Sequence, residues 1–131
     1  MLIIITHIRT APQAAALFKE LLRRGYLPNH RWQDNGLHWY SRPDEFAAAC
    51  YTSRGTRTGV FSSNYDSWCF SLNLGSDKKI TSLGHCNHLY YKNQEGYRDA
   101  RTITCAAFLA GCPLEGLGRN VGLVGEVKGL V

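Results

Sequence analysis

Trp68, Phe70, Leu72 and Leu74 recur at every second position and alternate with Cys69, Ser71 and Asn73. That two-residue period predicts a half-buried β-strand. Just upstream, Val60 and Phe61 sit in a Thr/Ser-rich run, and the small polar residues Ser63 to Ser67 suit a hairpin loop. Pairing of the two strands would place Ser53-Arg54-Gly55-Thr56-Arg57 at one end of the ladder and the Tyr65 loop at the other.

From the N-terminus, the apolar run Leu2 to Ile5 with Thr6 predicts an interior strand. Thr10 and Gln13 then form a capping box around Pro12, and Ala14, Leu17, Phe18 and Leu21 make one apolar stripe. Arg23-Arg24-Gly25 closes that helix, with cations at its negative end and a glycine able to take positive φ, so it is expected over residues 11 to 24. Asn35-Gly36 marks a type I′ turn that would pair Trp32 with Trp39 and Arg31 with Tyr40. One face of this second hairpin would carry Arg31, Gln33, His38 and Tyr40.

Ser41-Arg42-Pro43-Asp44 repeats the cap logic and starts a helix expected over 42 to 52, burying Phe46, Ala47 and Cys50. Ser76 to Lys79 reads as a turn and Ile80 to Leu83 as a short strand. A third helix is expected from Tyr97 to Ala110, with Tyr97, Ala100, Ile103, Ala107 and Ala110 on one side. Together these elements predict an α+β fold, an antiparallel or mixed sheet of five to six strands with two or three helices mainly covering one face. Residues 1–112 are expected to form one compact domain, and residues 113–131 a glycine-rich C-terminal tail or strand extension. An added apolar strand of that kind would favour a homodimer.

Composition narrows the classes. Across 131 residues, 44% are apolar and 19% charged, which suits one folded domain and argues against disorder. The run Leu2 to Ile5 is too short for a secretory core or a membrane span, so no membrane association and a cytoplasmic location are the default expectations. Five cysteines form no CxxC pair and are read as buried thiols rather than a disulfide framework. The net charge of +5 favours an anionic partner such as a nucleotide or nucleic acid.

Candidate chemistry then falls into clusters. Arg54 and Arg57, with Tyr65 and with Arg31, His38 and Tyr40, could take phosphate on guanidinium and a base on an aromatic ring. Arg98 and Arg101 offer a smaller cationic patch, neutralised in part by Asp99. His85 and His88 flank Asn87 and are candidate catalytic acid/base residues, with Asn87 orienting a histidine or a phosphate. In a strand His85 and His88 would point to opposite faces, and no compact second ligand pair exists, so no metal is assigned even with His7 or His30 considered. No cofactor is implied. Gly116-x-Gly118-x-x-x-Gly122 lacks the strand-turn-helix setting of a nucleotide fingerprint.

The leading expectation is a small basic binding protein for a nucleotide or nucleic-acid phosphate that uses arginines and exposed tyrosines. One alternative is a histidine-dependent phosphodiester- or glycosyl-directed enzyme. Another is an inhibitor or adaptor that binds a protein partner through an Arg/Tyr-rich surface.

Overall fold

The computed structural model describes residues 1–29, 37–58, 68–87 and 99–118, with the backbone alone described for 52–58, 68, 86 and 87. Strands β1 (Leu2–Thr6), β2 (Leu27–Pro28), β3 (Trp68–Leu74), β4 (Lys79–Asn87) and β5 (Arg101–Thr104) form one mixed sheet in the order β2-β4-β3-β1-β5. Helices α1 (Ala11–Arg23), α2 (Pro43–Thr58) and α3 (Cys105–Leu109) complete the α+β arrangement. No helix among the described residues is long and apolar enough to cross a membrane.

β1 lies inside the sheet because its isoleucines have apolar partners on both faces. It runs antiparallel to β3 and parallel to β5, which places Ile5 beside Phe70 and Ile103. Ile3, Ile5, Phe70, Leu72 and Ile103 join the large core with Leu17, Phe18 and Leu21 of α1, Ala47 of α2 and Phe108 of α3. Each of these larger side chains contributes about 1.5–3 kcal/mol by leaving water. On the opposite face, Ile4, Cys69 and Ala100 form a second buried cluster. The alternation expected in β3 is present, yet Cys69 and Ser71 are buried as well, so neither side of that strand is a plain solvent face.

α1 begins and ends as its sequence dictates. Gln13 N–H donates to Thr10 Oγ1 at 3.3 Å, and Gln13 Oε1 accepts from Thr10 N–H at 3.1 Å and Arg9 N–H at 2.7 Å. At the other end Tyr26 N–H reaches Leu21 O and Gly25 N–H reaches Leu22 O, both at 3.0 Å, with Gly25 at φ +89°. This is a Schellman closure, whose left-handed position suits glycine.

Phe18, the central residue of the α1 stripe, meets three elements. Its ring lies 5.0 Å from Phe70 and 5.4 Å from Phe46, both edge-on, and 6.2 Å from Trp39. Arg24 ties α1 to α3: it pairs with Glu20 at 2.7 Å, donates to Cys112 O at 2.8 Å and to Phe108 O, and covers the Phe108 ring. Leu114 and Leu117, in the stretch read as a tail or strand extension, join the core, while residues 119–131 lie outside the described part.

Five expectations change. Arg101–Thr104 is a strand instead of the middle of a helix, because Thr102, Ile103 and Thr104 pair with Ile4, Ile5 and Thr6 of β1; the helix proper starts at Cys105, with Thr104 Oγ1 accepting from Ala107 N–H at 3.1 Å. α2 continues through Gly55 to Thr58 instead of stopping at Ser53-Arg54-Gly55. A mid-helix glycine costs about 1 kcal/mol, which the docking of Ala47, Cys50 and Tyr51 on the core offsets. Pro43 is the first helical residue, and Ser41 lies outside the helix with its hydroxyl donating to His38 O. Residues 39–41 form a turn leading into α2 instead of a hairpin strand, closed by Arg42 N–H to His38 O at 3.1 Å. The β-strand expected at Ile80 to Leu83 extends to Lys79–Asn87, with a bulge where Asn73 pairs with Ser82 and Leu74 with Ile80. The strand expected at Val60-Phe61 and the Asn35-Gly36 turn lie outside the described residues.

Two outcomes are expected from this packing. Phe18→Ala removes the ring shared by α1, α2 and β3 and should lower unfolding free energy by about 3–5 kcal/mol in chemical denaturation. Glu20 is held well below the usual carboxylate range, at about 2, by hydrogen bonds from Arg23 and then Arg24. A depressed folded pKa gives stability that is complete above the unfolded value and lost as pH falls through the folded one. The difference in melting temperature between wild type and Glu20→Gln should therefore be constant near neutrality and shrink as pH falls from about 4.5 to about 2.

Candidate ligand-binding groove between α2 and β4

His38, Trp39, Phe46 and Leu83 line a pocket of about 300 Å³. Its parts come from three places: the turn before α2, the first turns of α2, and the middle of β4. Phe46 and Trp39 hold their positions because both pack on Phe18 from the core side. His38 and Tyr40 stack with ring centres 5.0 Å apart and planes 9° from parallel, and Tyr40 meets Trp39 edge-on at 5.6 Å. Trp39 is 2% exposed, and its indole N–H has no hydrogen-bond acceptor among the described residues.

Along β4 from Leu83, His85 stacks on Phe70 at 4.4 Å and meets Tyr51 of α2 at 5.0 Å. Both of its ring nitrogens are shielded from solvent. Tyr51 in turn donates its hydroxyl to Ile8 O. The row Phe18, Phe70, His85, Tyr51 thus runs from α1 across the sheet to α2 and back to the loop before α1. The His85 ring packs against both neighbours.

The other sequence candidates divide by position. Arg54 and Arg57 lie in the second half of α2, on the helix that carries Phe46, and Arg54 is roughly 12 Å beyond Phe46 along the helix axis. Asn87 is the last residue of β4, paired with Trp68, at the same end of the sheet as Thr6. Arg101 is on β5, three strands from β4 and so roughly 14 Å across the sheet. It donates to Leu117 O, a structural bond that separates it from the groove. Arg31, Tyr65, His88 and Arg98 lie outside the described residues. The structure therefore brings together His38 and Tyr40, and places Arg54 and Arg57 on the adjoining helix.

Sequence reasoning assigned Trp39 to a hairpin core and Phe46 to helix packing, and so missed both as pocket walls. Nothing in their spacing distinguishes an aromatic that lines a cavity from one that fills it. It also gave His7 only a passing role as a metal ligand. His7 follows β1 in the left-handed region, at φ +60°, with Nδ1 2.9 Å from Thr6 Oγ1. Such a backbone disfavours a non-glycine residue by about 1–2 kcal/mol. Among the described residues, no three His, Cys, Asp or Glu side chains cluster as metal ligands. Cys105 is buried, and that burial pushes its thiol up to about 11, so it is unreactive near neutrality.

No family model, curated protein or solved structure matches this chain. Function must be argued from the groove itself. The Tyr51 contact gives a first check. Tyr51→Phe leaves the Ile8 carbonyl without its partner and should cost about 1–3 kcal/mol, with faster amide exchange concentrated in residues 7–9.

Proposed function

We propose that this protein binds a nucleotide-class ligand, placing a base in the groove between α2 and β4 and its phosphates toward the second half of α2. The pocket walled by Trp39, Phe46 and His38, with Tyr40 stacked on His38 beside it, carries this reading. Aromatic faces hold a flat heterocycle through stacking, which is tolerant of base identity.

Charge and spacing support the phosphate half. The chain carries a net +5, and a helix step of roughly 12 Å from Phe46 to Arg54 is on the scale of a nucleoside bearing several phosphates. Arginine suits that end because its planar fork can grip phosphate oxygens in pairs. The catalytic alternative receives less support, because a proton-transferring histidine must meet its ligand and His85 is enclosed between Phe70 and Tyr51.

Titration with ATP, GTP, CTP, UTP and a short oligothymidylate at low salt, followed by tryptophan fluorescence, tests this reading. Saturable quenching is expected, weakened by roughly 1–3 kcal/mol in Tyr40→Ala or Phe46→Ala. Arg54→Ala with Arg57→Ala should weaken binding and flatten its salt dependence, which for a mononucleotide is already shallow compared with that of the oligonucleotide. Absence of saturable binding to every one of these ligands would remove the proposal.

A further inference from the structure

We infer that His7 is a phosphoryl-accepting histidine, which takes phosphate on Nε2 from a small activated donor of the phosphoramidate or acyl-phosphate class. The argument is independent of the α2 groove and starts from a single proton. Thr6 is fully buried at the end of β1, and its hydroxyl lies 3.5 Å from the carbonyl oxygen of Ile103 on the neighbouring parallel strand. A hydroxyl has one proton to give. With that proton directed to Ile103 O, Thr6 Oγ1 pairs with the imidazole 2.9 Å away in the tautomer that carries its proton on Nδ1, and the proposal rests on that tautomer. Nε2 is then left with the lone pair.

A histidine oriented in this way by a second group is an activated nucleophile, because the partner on Nδ1–H stabilises the positive charge that develops on the ring. The ring is also accessible, since His7 is exposed. By contrast His38 is stacked on Tyr40, and the nitrogens of His85 are shielded from solvent.

The helix amides do not supply this site. Arg9 and Thr10 N–H groups donate to Gln13 Oε1, and Gln13 N–H donates to Thr10 Oγ1, so the capping box occupies them. Arg9, an exposed cation, lies on the same loop. In the transfer, Nε2 supplies the electron pair of a new N–P bond as the P–N bond of phosphoramidate breaks. The nitrogen of N-protonated phosphoramidate leaves as ammonia with the pair of the broken P–N bond, and the Nδ1 proton stays on the ring, which becomes the cationic phospho-imidazole.

The test is incubation of the full chain with phosphoramidate near neutral pH, read by intact mass, fragment mapping and ³¹P NMR of the phosphohistidine isomer. A single acid-labile phosphoryl group on His7, as the Nε2 isomer alone, is expected. His7→Asn tolerates the left-handed backbone and should abolish labelling with an unchanged circular dichroism spectrum. Thr6→Val should slow labelling about 10- to 100-fold, the scale on which loss of an orienting partner acts on a working histidine, and should yield both isomers. Thr6→Ser keeps the hydroxyl and should keep the single isomer. Labelling spread evenly over the other histidines, an Nδ1 isomer in wild type, or a folded Thr6→Val variant with unchanged rate and isomer would each overturn the assignment.

Discussion

The contact between Phe18 and Phe70 is the one on which the remaining packing depends. It joins α1 to the sheet, and its neighbours extend it in both directions. On the helix side Phe18 also meets Phe46 and Trp39; on the sheet side Phe70 carries His85, which meets Tyr51. Edge-on aromatic pairs add about 0.5–1.5 kcal/mol each to simple burial, because the positive ring edge faces a negative ring face. Their larger effect is directional. Each pair fixes an angle as well as a distance, so α1, α2 and β4 are positioned relative to one another through a few rings.

That arrangement explains why a cavity can persist beside α2. Phe46 and Trp39 present one side to Phe18 and another to the pocket, so the walls are held by the core whether or not a ligand is present. Preorganised walls reduce the ordering cost that binding would otherwise carry. On the proposed reading the same rings serve stability and recognition, and a substitution at Phe46 affects both. Tyr40 packs against the same core and adds ring contacts to Trp39 and His38.

Local chemistry made part of the fold legible. The capping box at Thr10, the glycine closure at Gly25, the alternation in β3 and the interior character of Leu2–Thr6 all follow from residues close in sequence. What failed needed a distant partner. Arg101–Thr104 has side-chain spacing compatible with a helix, and only the open edge of β1, almost a hundred residues earlier, makes it a strand. The end of α2 was misjudged for a related reason: Gly55 reads as a stop when considered alone, while the helix is carried past it by packing nearer its start. At the site, His38 and Tyr40 were expected on one face of a hairpin strand, whereas they stack at the turn before α2, beside walls assembled from β4 and the core.

The two histidines at this end of the sheet illustrate why residue type alone does not find a site. His85 belongs to the sequence's densest cluster of reactive side chains, yet it lies face to face with Phe70 and would have to leave that stack to exchange a proton with a ligand. His7 stands in an unremarkable run of apolar residues and threonines, and the feature that distinguishes it is the buried hydroxyl of Thr6, which depends on β5 being parallel to β1 and bringing Ile103 O within reach. Had residues 101–104 remained helical, that carbonyl would have been committed to its own helix and the orientation of the imidazole would be lost. The strand that sequence spacing concealed is therefore also the element that gives His7 a defined ring proton.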